Sequence, residues 1–283
     1  MNASEREFAD RYGQWALVAG ASEGVGAVYA RAMADLGLNV MLLSRRQAVL
    51  DEVAAAIRTD TGVETRAVAV DLSTHEAVAT ILEATSGLEV GMLMYCAGAD
   101  PRYEPFLANP AEVAAELVRR NCIVPMELCH HFAGPMVARG RGGIVLVGSG
   151  AGFAGSKNMV AYCASKAFDM VMAEALWAEL HGQGVDVLGL VLSITDTPAE
   201  RRMLVKRGIL ASADDTRPIP GATSAEETVA EAIANLQNGP TWFVGEEFRK
   251  QEAMMRSLTR REVVQVMLQM SDEFMGSTTG LPG

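Results

Sequence analysis

Three side chains stand at a spacing that suits proton transfer. Ser149 closes an apolar run, Ile144 to Val147, that reads as a buried strand ending in Gly148-Ser149-Gly150. Tyr162 follows thirteen residues later, and Lys166 four residues after that. The segment from Val160 onward reads as helix, so Tyr162 and Lys166 lie one turn apart on one face. A free phenol has a pKa of about 10, and a neighbouring ammonium favours its ionised form. A serine hydroxyl facing that pair could hydrogen-bond a reacting oxygen. Alone, Tyr162 and Lys166 could equally be an exposed i,i+4 pair, so the surrounding elements must decide.

The first of those elements is a strand, Trp15 to Ala19, that runs into Gly20-Ala21-Ser22-Glu23-Gly24-Val25-Gly26 and then a helix ending near Gly37. Strand, glycine-rich turn and helix together give the glycines a meaning they lack alone. Gly20 permits a tight turn, Gly24 lets a pyrophosphate approach the backbone, and Gly26 lets the helix pack on the strand. The helix start offers free N–H groups and a positive dipole end to phosphate. The stretch predicts a dinucleotide site; the alternative is a plain βα turn.

The second strand, Asn39 to Leu43, ends in Ser44-Arg45-Arg46. An acidic residue at such a tip binds a ribose 2′-hydroxyl and favours NAD(H). A hydroxyl and guanidinium groups suit a 2′-phosphate, so NADP(H) is expected, with NAD(H) as the alternative. The alternative is that Arg45 and Arg46 only solvate a helix start, and Glu23, beside the glycine loop, does not help a phosphate. The third strand, Glu64 to Val70, ends in Asp71-Leu72, where Asp71 could meet an adenine amino group or cap the next helix. The fourth, Val90 to Cys96, ends in Cys96-Ala97-Gly98, small residues that would let a ribose lie on the backbone. A long helix is expected from Pro110 to about Arg139, with Asn121 inside it. The sixth strand, Val185 to Val191, leads into Ile194, Thr195 and Thr197. Residues 199–221 read as a mobile flap. A helix from Ser224 to Asn238, a strand from Thr241 to Val244 and a Met-rich helix from Glu246 to Met270 follow; the tail from Gly276 is expected to be disordered.

Strands alternate with helices throughout. The expected fold is α/β: a single-domain Rossmann-type, doubly wound parallel sheet of about seven strands with helices on both faces. Residues 1–283 form one unit, with a core at 14–245, the flap at 199–221 and a helical extension at 246–275.

Composition excludes other classes. The net charge of −11 opposes nucleic acid and anionic lipid surfaces. Cys96, Cys122, Cys129 and Cys163 have no metal-like spacing, and His130-His131 lacks partner carboxylates, so no metal is expected. The N-terminus is polar and acidic, unlike a signal peptide. No apolar run approaches the ~18 residues of a membrane span. A cytoplasmic protein without a nucleic-acid or membrane partner is the expectation.

The glycine loop, the Cys-Ala-Gly tip, Ser149 and the Tyr-x3-Lys pair together resemble the short-chain dehydrogenase/reductase family over residues 14 to 245. LLSRR, GLEVGMLMYCAG and SGAGFAG are most similar to its 3-ketoacyl-CoA and 17β-hydroxysteroid reductase branch. The resemblance implies Tyr162 as general acid or base, with Lys166 favouring its ionisation and holding the nicotinamide ribose. It implies Ser149 as the hydrogen-bond partner of the substrate oxygen, and Asn121 as the holder of a relay water. Ile194, Thr195 and Thr197 would meet the nicotinamide carboxamide. Ser22, Val25 and Leu72 complete the cofactor set. The family's Asn-Asn-Ala-Gly is here Tyr95-Cys96-Ala97-Gly98, and its Pro-Gly after the sixth strand is Leu192-Ser193.

The expected activity is an NADP(H)-dependent interconversion of a ketone and a secondary alcohol. The small-molecule substrate is expected to be bulky and apolar: steroid-like, ketoacyl or an aromatic ketone. The alternative is a non-catalytic nucleotide sensor on the same fold. A homodimer or homotetramer is expected through the helices at 110–139 and 160–182.

Overall fold

The computed structural model describes residues 3–99 and 102–275. The chain opens with α1 (Ala3–Tyr12), then alternates β1 (Trp15–Ala19), α2 (Gly24–Asp35), β2 (Asn39–Ser44), α3 (Gln47–Thr61), β3 (Thr65–Ala69), α4 (Ala77–Ala84) and β4 (Val90–Tyr95). It continues through α5 (Ala111–Val118), α6 (Val124–Arg139), β5 (Gly142–Ser149), α7 (Val160–Leu180) and β6 (Val185–Leu192). The last part holds β7 (Thr195–Asp196), α8 (Pro198–Lys206), β8 (Thr223–Ser224), α9 (Ala225–Ala234), β9 (Thr241–Phe243), α10 (Glu246–Met255) and α11 (Arg260–Met275).

Seven strands form one parallel sheet in the order β3-β2-β1-β4-β5-β6-β9. The chain winds outward from β1 to β3, then returns to place β4 on the other side of β1. That reversal opens a crevice at the carboxyl ends of β1 and β4, where such sheets bind ligands. Helices cover both faces, which is why the central strands read as unbroken apolar runs. Along β1 the side chains alternate between two cores. Ala16 and Val18 pack with Tyr29, Met33, Leu50 and Val229. Trp15, Leu17 and Ala19 pack with Ile81, Leu128, Phe132 and Ala173.

The structure departs from the sequence expectation in its capped and broken helices. The expected helix over 110–139 is two helices joined by a π turn, Arg119–Ile123, that carries Asn121. The flap begins as a true helix: Thr197 accepts from Glu200 N (3.2 Å), and Pro198 takes the first helical position. The expected continuous helix from Glu246 to Met270 is divided. Thr259 and Glu262 cap a new start, with Glu262 accepting from Thr259 N (2.7 Å) and Oγ1 (2.6 Å). The N-terminal segment is helix α1, tied to β6 by Arg11 on Asp186 (2.8 and 2.9 Å) and Tyr12 Oη on Asp186 (2.7 Å). The tail from Gly276 lies outside the described residues.

Candidate active site

Parallel strands β4 and β5 end side by side, so Gly98 and Ser149 reach the crevice together. Ser149 is the last residue of β5, and its hydroxyl accepts from Ala151 N (3.2 Å). Tyr162 and Lys166 occupy the first turns of α7, with the ammonium 5.9 Å from the centre of the phenol ring. Lys166 is 3% exposed. Its Nζ donates to Val147 O (2.9 Å) and to Asp169 Oδ2 (2.9 Å). Burial works against the Lys166 charge, but Asp169 and Tyr162 outweigh it and raise the pKa. Burial also raises Asp169, and Lys166 pulls it only partly back.

Asn121 is fully enclosed. Its amide donates to Gly98 O (3.1 Å) and Ser165 Oγ (2.9 Å), and its oxygen accepts from Arg120 Nε (3.2 Å). Ser165 in turn donates to Tyr162 O (2.8 Å). The π turn turns Asn121 inward; such bulges recur at functional sites. Gly98 has φ +136°, and a Cβ there would lie 3.0 Å from Lys166 Nζ and 3.1 Å from Asn121 Oδ1. Backbone, amide and ammonium therefore converge at one point. Tyr95, which stands in for the family's amide, has its own tie: its hydroxyl donates to Arg120 O in the π turn.

The glycine loop lies at the other end of the crevice. A Cβ on Gly26 would sit 2.2 Å from Gly20 O, so only glycine lets α2 pack against this turn. Gly20 (φ +88°) backs onto Ala97 N, and Gly24 (φ +55°) abuts the Thr197 side chain. Glu23 occupies the N-cap position of α2 but makes no cap hydrogen bond, so the first-turn N–H groups remain available to an anion. Its carboxylate pairs instead with Arg46 (3.0 Å) and with Arg202 of α8. Burial alone would raise Glu23's pKa; the two guanidinium groups bring it below the ordinary carboxylate value. Arg46 also reaches Ser22 Oγ (3.4 Å). Ser22, Glu23 and Arg46 thus form one cluster.

The remaining cofactor candidates divide by what they expose. Arg45 is exposed at the β2 tip beyond Ser44. Asp71 accepts from Ser73 N (3.0 Å) and Oγ (2.7 Å), closing its own turn. Helix α4 begins only at Ala77, so Asp71 does not cap it. Burial opposes the Asp71 charge, but Ser73, Arg45 and Arg120 lower its pKa overall. Val25 and Leu72 point into the cores and offer a ligand only backbone. Cys96 N donates to Ala19 O (2.9 Å), and burial pushes its thiol up to about 12. Ile194 O accepts from Thr223 N (3.1 Å), and Thr195 is buried in the β7–β8 ladder. Thr197 caps α8 beside Gly24.

Two loops, those carrying Tyr103 and Phe153, meet the C-terminal helices. The Tyr103 hydroxyl hydrogen-bonds Ser271 of α11, and Arg207 lies 4.1 Å over the Tyr103 ring. Lys157 pairs with Asp272, and Arg260 donates to Phe153 O. Ala154, Met255, Val263 and Met267 form a small separate core beneath these contacts. Among the described residues no group of three His, Cys, Asp or Glu side chains could hold a metal ion. No helix is long and apolar enough to cross a membrane among those residues.

A family model described as short chain dehydrogenase matches residues 14–207, more than half of the chain. The chain belongs to that family, and is an oxidoreductase that acts on CH–OH groups and uses a nicotinamide cofactor. It is 29% identical over 269 residues to 7β-hydroxysteroid dehydrogenase of Clostridium sardiniense, covering 94% of this chain and 98% of the relative. A solved structure from work on 7β-hydroxysteroid dehydrogenase stereoselectivity matches with TM-score 0.83 and 30% identity, over 92% of this chain and 98% of that one. A short-chain dehydrogenase from Sphingobium yanoikuyae in complex with NADPH matches with TM-score 0.74 and 25% identity, over 95% and 98% of the two chains.

Sequence reading missed Asp169, Arg202 and the Tyr103–Ser271 contact. Asp169 had a signal, a carboxylate three residues past Lys166 among apolar neighbours. The other two bring together residues separated by 179 and 168 positions, and no local pattern marks them.

Proposed function

We propose that this chain is an NADP(H)-dependent dehydrogenase that interconverts a ketone and a secondary alcohol on a hydroxysteroid or similarly bulky apolar substrate. The observation that carries the reading is the convergence of Lys166, Asn121 and Gly98 beside Tyr162. In this reading Tyr162 Oη gives a proton to the carbonyl oxygen in reduction and takes it back in oxidation. Lys166 sets a positive charge 5.9 Å from the centre of the phenol ring. Ser149 accepts from Ala151 N, which leaves its hydroxyl proton to be donated to the substrate oxygen. Asn121 holds Gly98 O and, through Ser165, the first turn of α7, so it fixes the distance between the β4 tip and Tyr162.

When bound, the nicotinamide supplies or accepts the hydride. The uncapped start of α2 and the bare backbone at Gly20–Gly26 fit its pyrophosphate. Arg45, Arg46, Ser22 and Ser44 offer the donors a 2′-phosphate requires; Asp71 and the backbone of Leu72 would lie by the adenine. Cys96, Ala97 and Gly98 leave room for a ribose that Tyr162 and Lys166 would hold, and Ile194, Thr195 and Thr197 line the carboxamide end. The NADPH-bound relative supports NADP(H) over NAD(H). The full-length similarity to a 7β-hydroxysteroid dehydrogenase supports a steroid-sized substrate. Exposed Val160 (50%) and Val171 (62%) on α7, with Val118 and Met126 on α5 and α6, support a homodimer or homotetramer through those helices. Four free thiols support a reducing, cytoplasmic setting.

The test is an assay with a 7β-hydroxysteroid and each cofactor. NADP⁺ should be reduced stoichiometrically, and NADPH should bind at least about tenfold tighter than NADH, a difference of ~1.4 kcal/mol. Cofactor binding without any change in the reduced-nicotinamide absorbance, over a panel of ketones and alcohols, would instead favour a nucleotide sensor.

A further inference from the structure

A lysine with its head 4% exposed is expensive to keep charged. Unpaired and buried, it loses its proton several pH units early, by up to about 3–5 units in full burial. Lys166 escapes that fate through one residue of its own helix. Asp169 is 4% exposed, sits at i+3 on the face of α7 that looks toward β5, and places Oδ2 2.9 Å from Nζ. Val147 O at the β5 end takes a second ammonium proton. The third is left for the space that Gly98 keeps open.

We infer that Asp169 is a positioning residue for the reaction: its carboxylate keeps Lys166 charged and fixed between Val147 O and Gly98. This rests on the roles proposed above for Tyr162 and Lys166. Tyr162 also favours the Lys166 charge, but no other group around the pair supplies the counter-charge. Arg120, from the π turn, opposes the Lys166 charge. Burial raises Tyr95 of β4 and the thiols of Cys96, Cys122 and Cys129, which keeps them neutral near pH 7. The strands β5 and β6 present backbone and apolar side chains to this part of α7, the one β6 carboxylate, Asp186, being held by Arg11 and Tyr12. Asp169 is the anion that remains. With it, Lys166 stays an ammonium beside Tyr162. Without it, burial takes over and Lys166 becomes neutral as pH rises.

The chain has four lysines, so the protein labelled with ¹³C-lysine gives four ε-methylene signals. Lys166 is the one lost in Lys166→Arg. In the wild type that signal should show no deprotonation below about pH 10; a titration complete by about pH 9 would overturn the proposal even if no variant folds. In Asp169→Asn, checked by circular dichroism and NADPH binding, the Lys166 titration should move down by at least about one unit. Steroid oxidation by that variant should lose at least about tenfold in kcat between neutral pH and about pH 9, where the wild type holds level. An unmoved lysine titration, or an unmoved pH profile beside lowered thermal stability, would make Asp169 merely structural and sink the idea. Tyr162→Phe runs alongside. If it keeps wild-type turnover, the proton-transfer reading falls by itself, while the lysine titration still decides the question of Asp169.

Discussion

Lys166 and Asn121 find their partners 1 to 44 positions away along the chain. Tyr103 and Arg260, in the contacts of α11, reach partners 168 and 107 positions away. The first set sits where parallel strands end, at a point that the sheet topology makes by itself. The second pairs loops with a helix that follows the whole core. Such a pairing brings loop ends together from far apart in the chain, and few contacts hold it. Under the proposed function, chemistry sits where the strands end and substrate choice falls to the loop contacts. An enzyme family can keep the former while changing the latter.

That contrast can be broken from either side. The largest effect should come at the centre. Tyr162→Phe should lower kcat by at least about 10²–10⁴, the usual worth of a positioned acid, with NADPH affinity retained in a fluorescence titration. Gly98→Ala should be nearly as damaging, because its Cβ would meet Lys166 Nζ at 3.0 Å in a left-handed backbone; turnover and thermal stability should both fall. Survival of either variant at wild-type rate would place the chemistry elsewhere.

At the cofactor rim the effect should be intermediate. Arg46→Glu sets a second carboxylate beside Glu23 and should weaken NADPH by at least about tenfold while leaving NADH within about twofold, read by titration of both. Equal losses for the two cofactors would remove Arg46 from the 2′-phosphate site.

Among the α11 contacts, Ser271→Ala removes the partner of the buried Tyr103 hydroxyl. It should raise the steroid KM several-fold, lower thermal stability by about 1–3 kcal/mol, and leave kcat within about twofold. A kcat loss as large as that of Tyr162→Phe would erase the distinction between the two regions. The smallest effect concerns Glu200 of α8. Burial raises its pKa from 4.5 to about 7; Arg207 opposes this and Asp196 adds to it. The folded protein therefore prefers the protonated acid. Its contribution to stability is complete below pH 4.5 and is lost as pH rises to about 7. Glu200→Gln should flatten melting temperature against pH across that window, and an unchanged slope would show that the carboxyl is solvated.

How much of this was legible varies with distance along the chain. The seven-stranded parallel sheet could be read because each central strand is a continuous apolar run and each crossover a periodic helix. The glycine loop, Ser149 and the Tyr162–Lys166 pair could be read because strand, turn and i,i+4 spacing are local geometry. The capping pairs Thr197–Glu200 and Thr259–Glu262 were also written locally; reading periodicity alone overlooked them, since a polar residue at a helix start looks like a loop. The π turn at Asn121 left no such mark, because one extra residue in a helical run does not disturb its composition.

The sequence by itself determined the glycine turn and the one-turn spacing of Tyr162 and Lys166, whose geometry follows from backbone hydrogen bonding over a few residues. Only the tertiary structure decided who answers each charge. Asp169 turns inward to Lys166 because β5 and the π turn close over that face of α7. Glu23 meets Arg202 because α8 folds back across the glycine loop. Tyr103 meets Ser271 because α11 returns to the loop that follows β4. Each of those partners is chosen by packing, the one term that residue type and spacing do not carry.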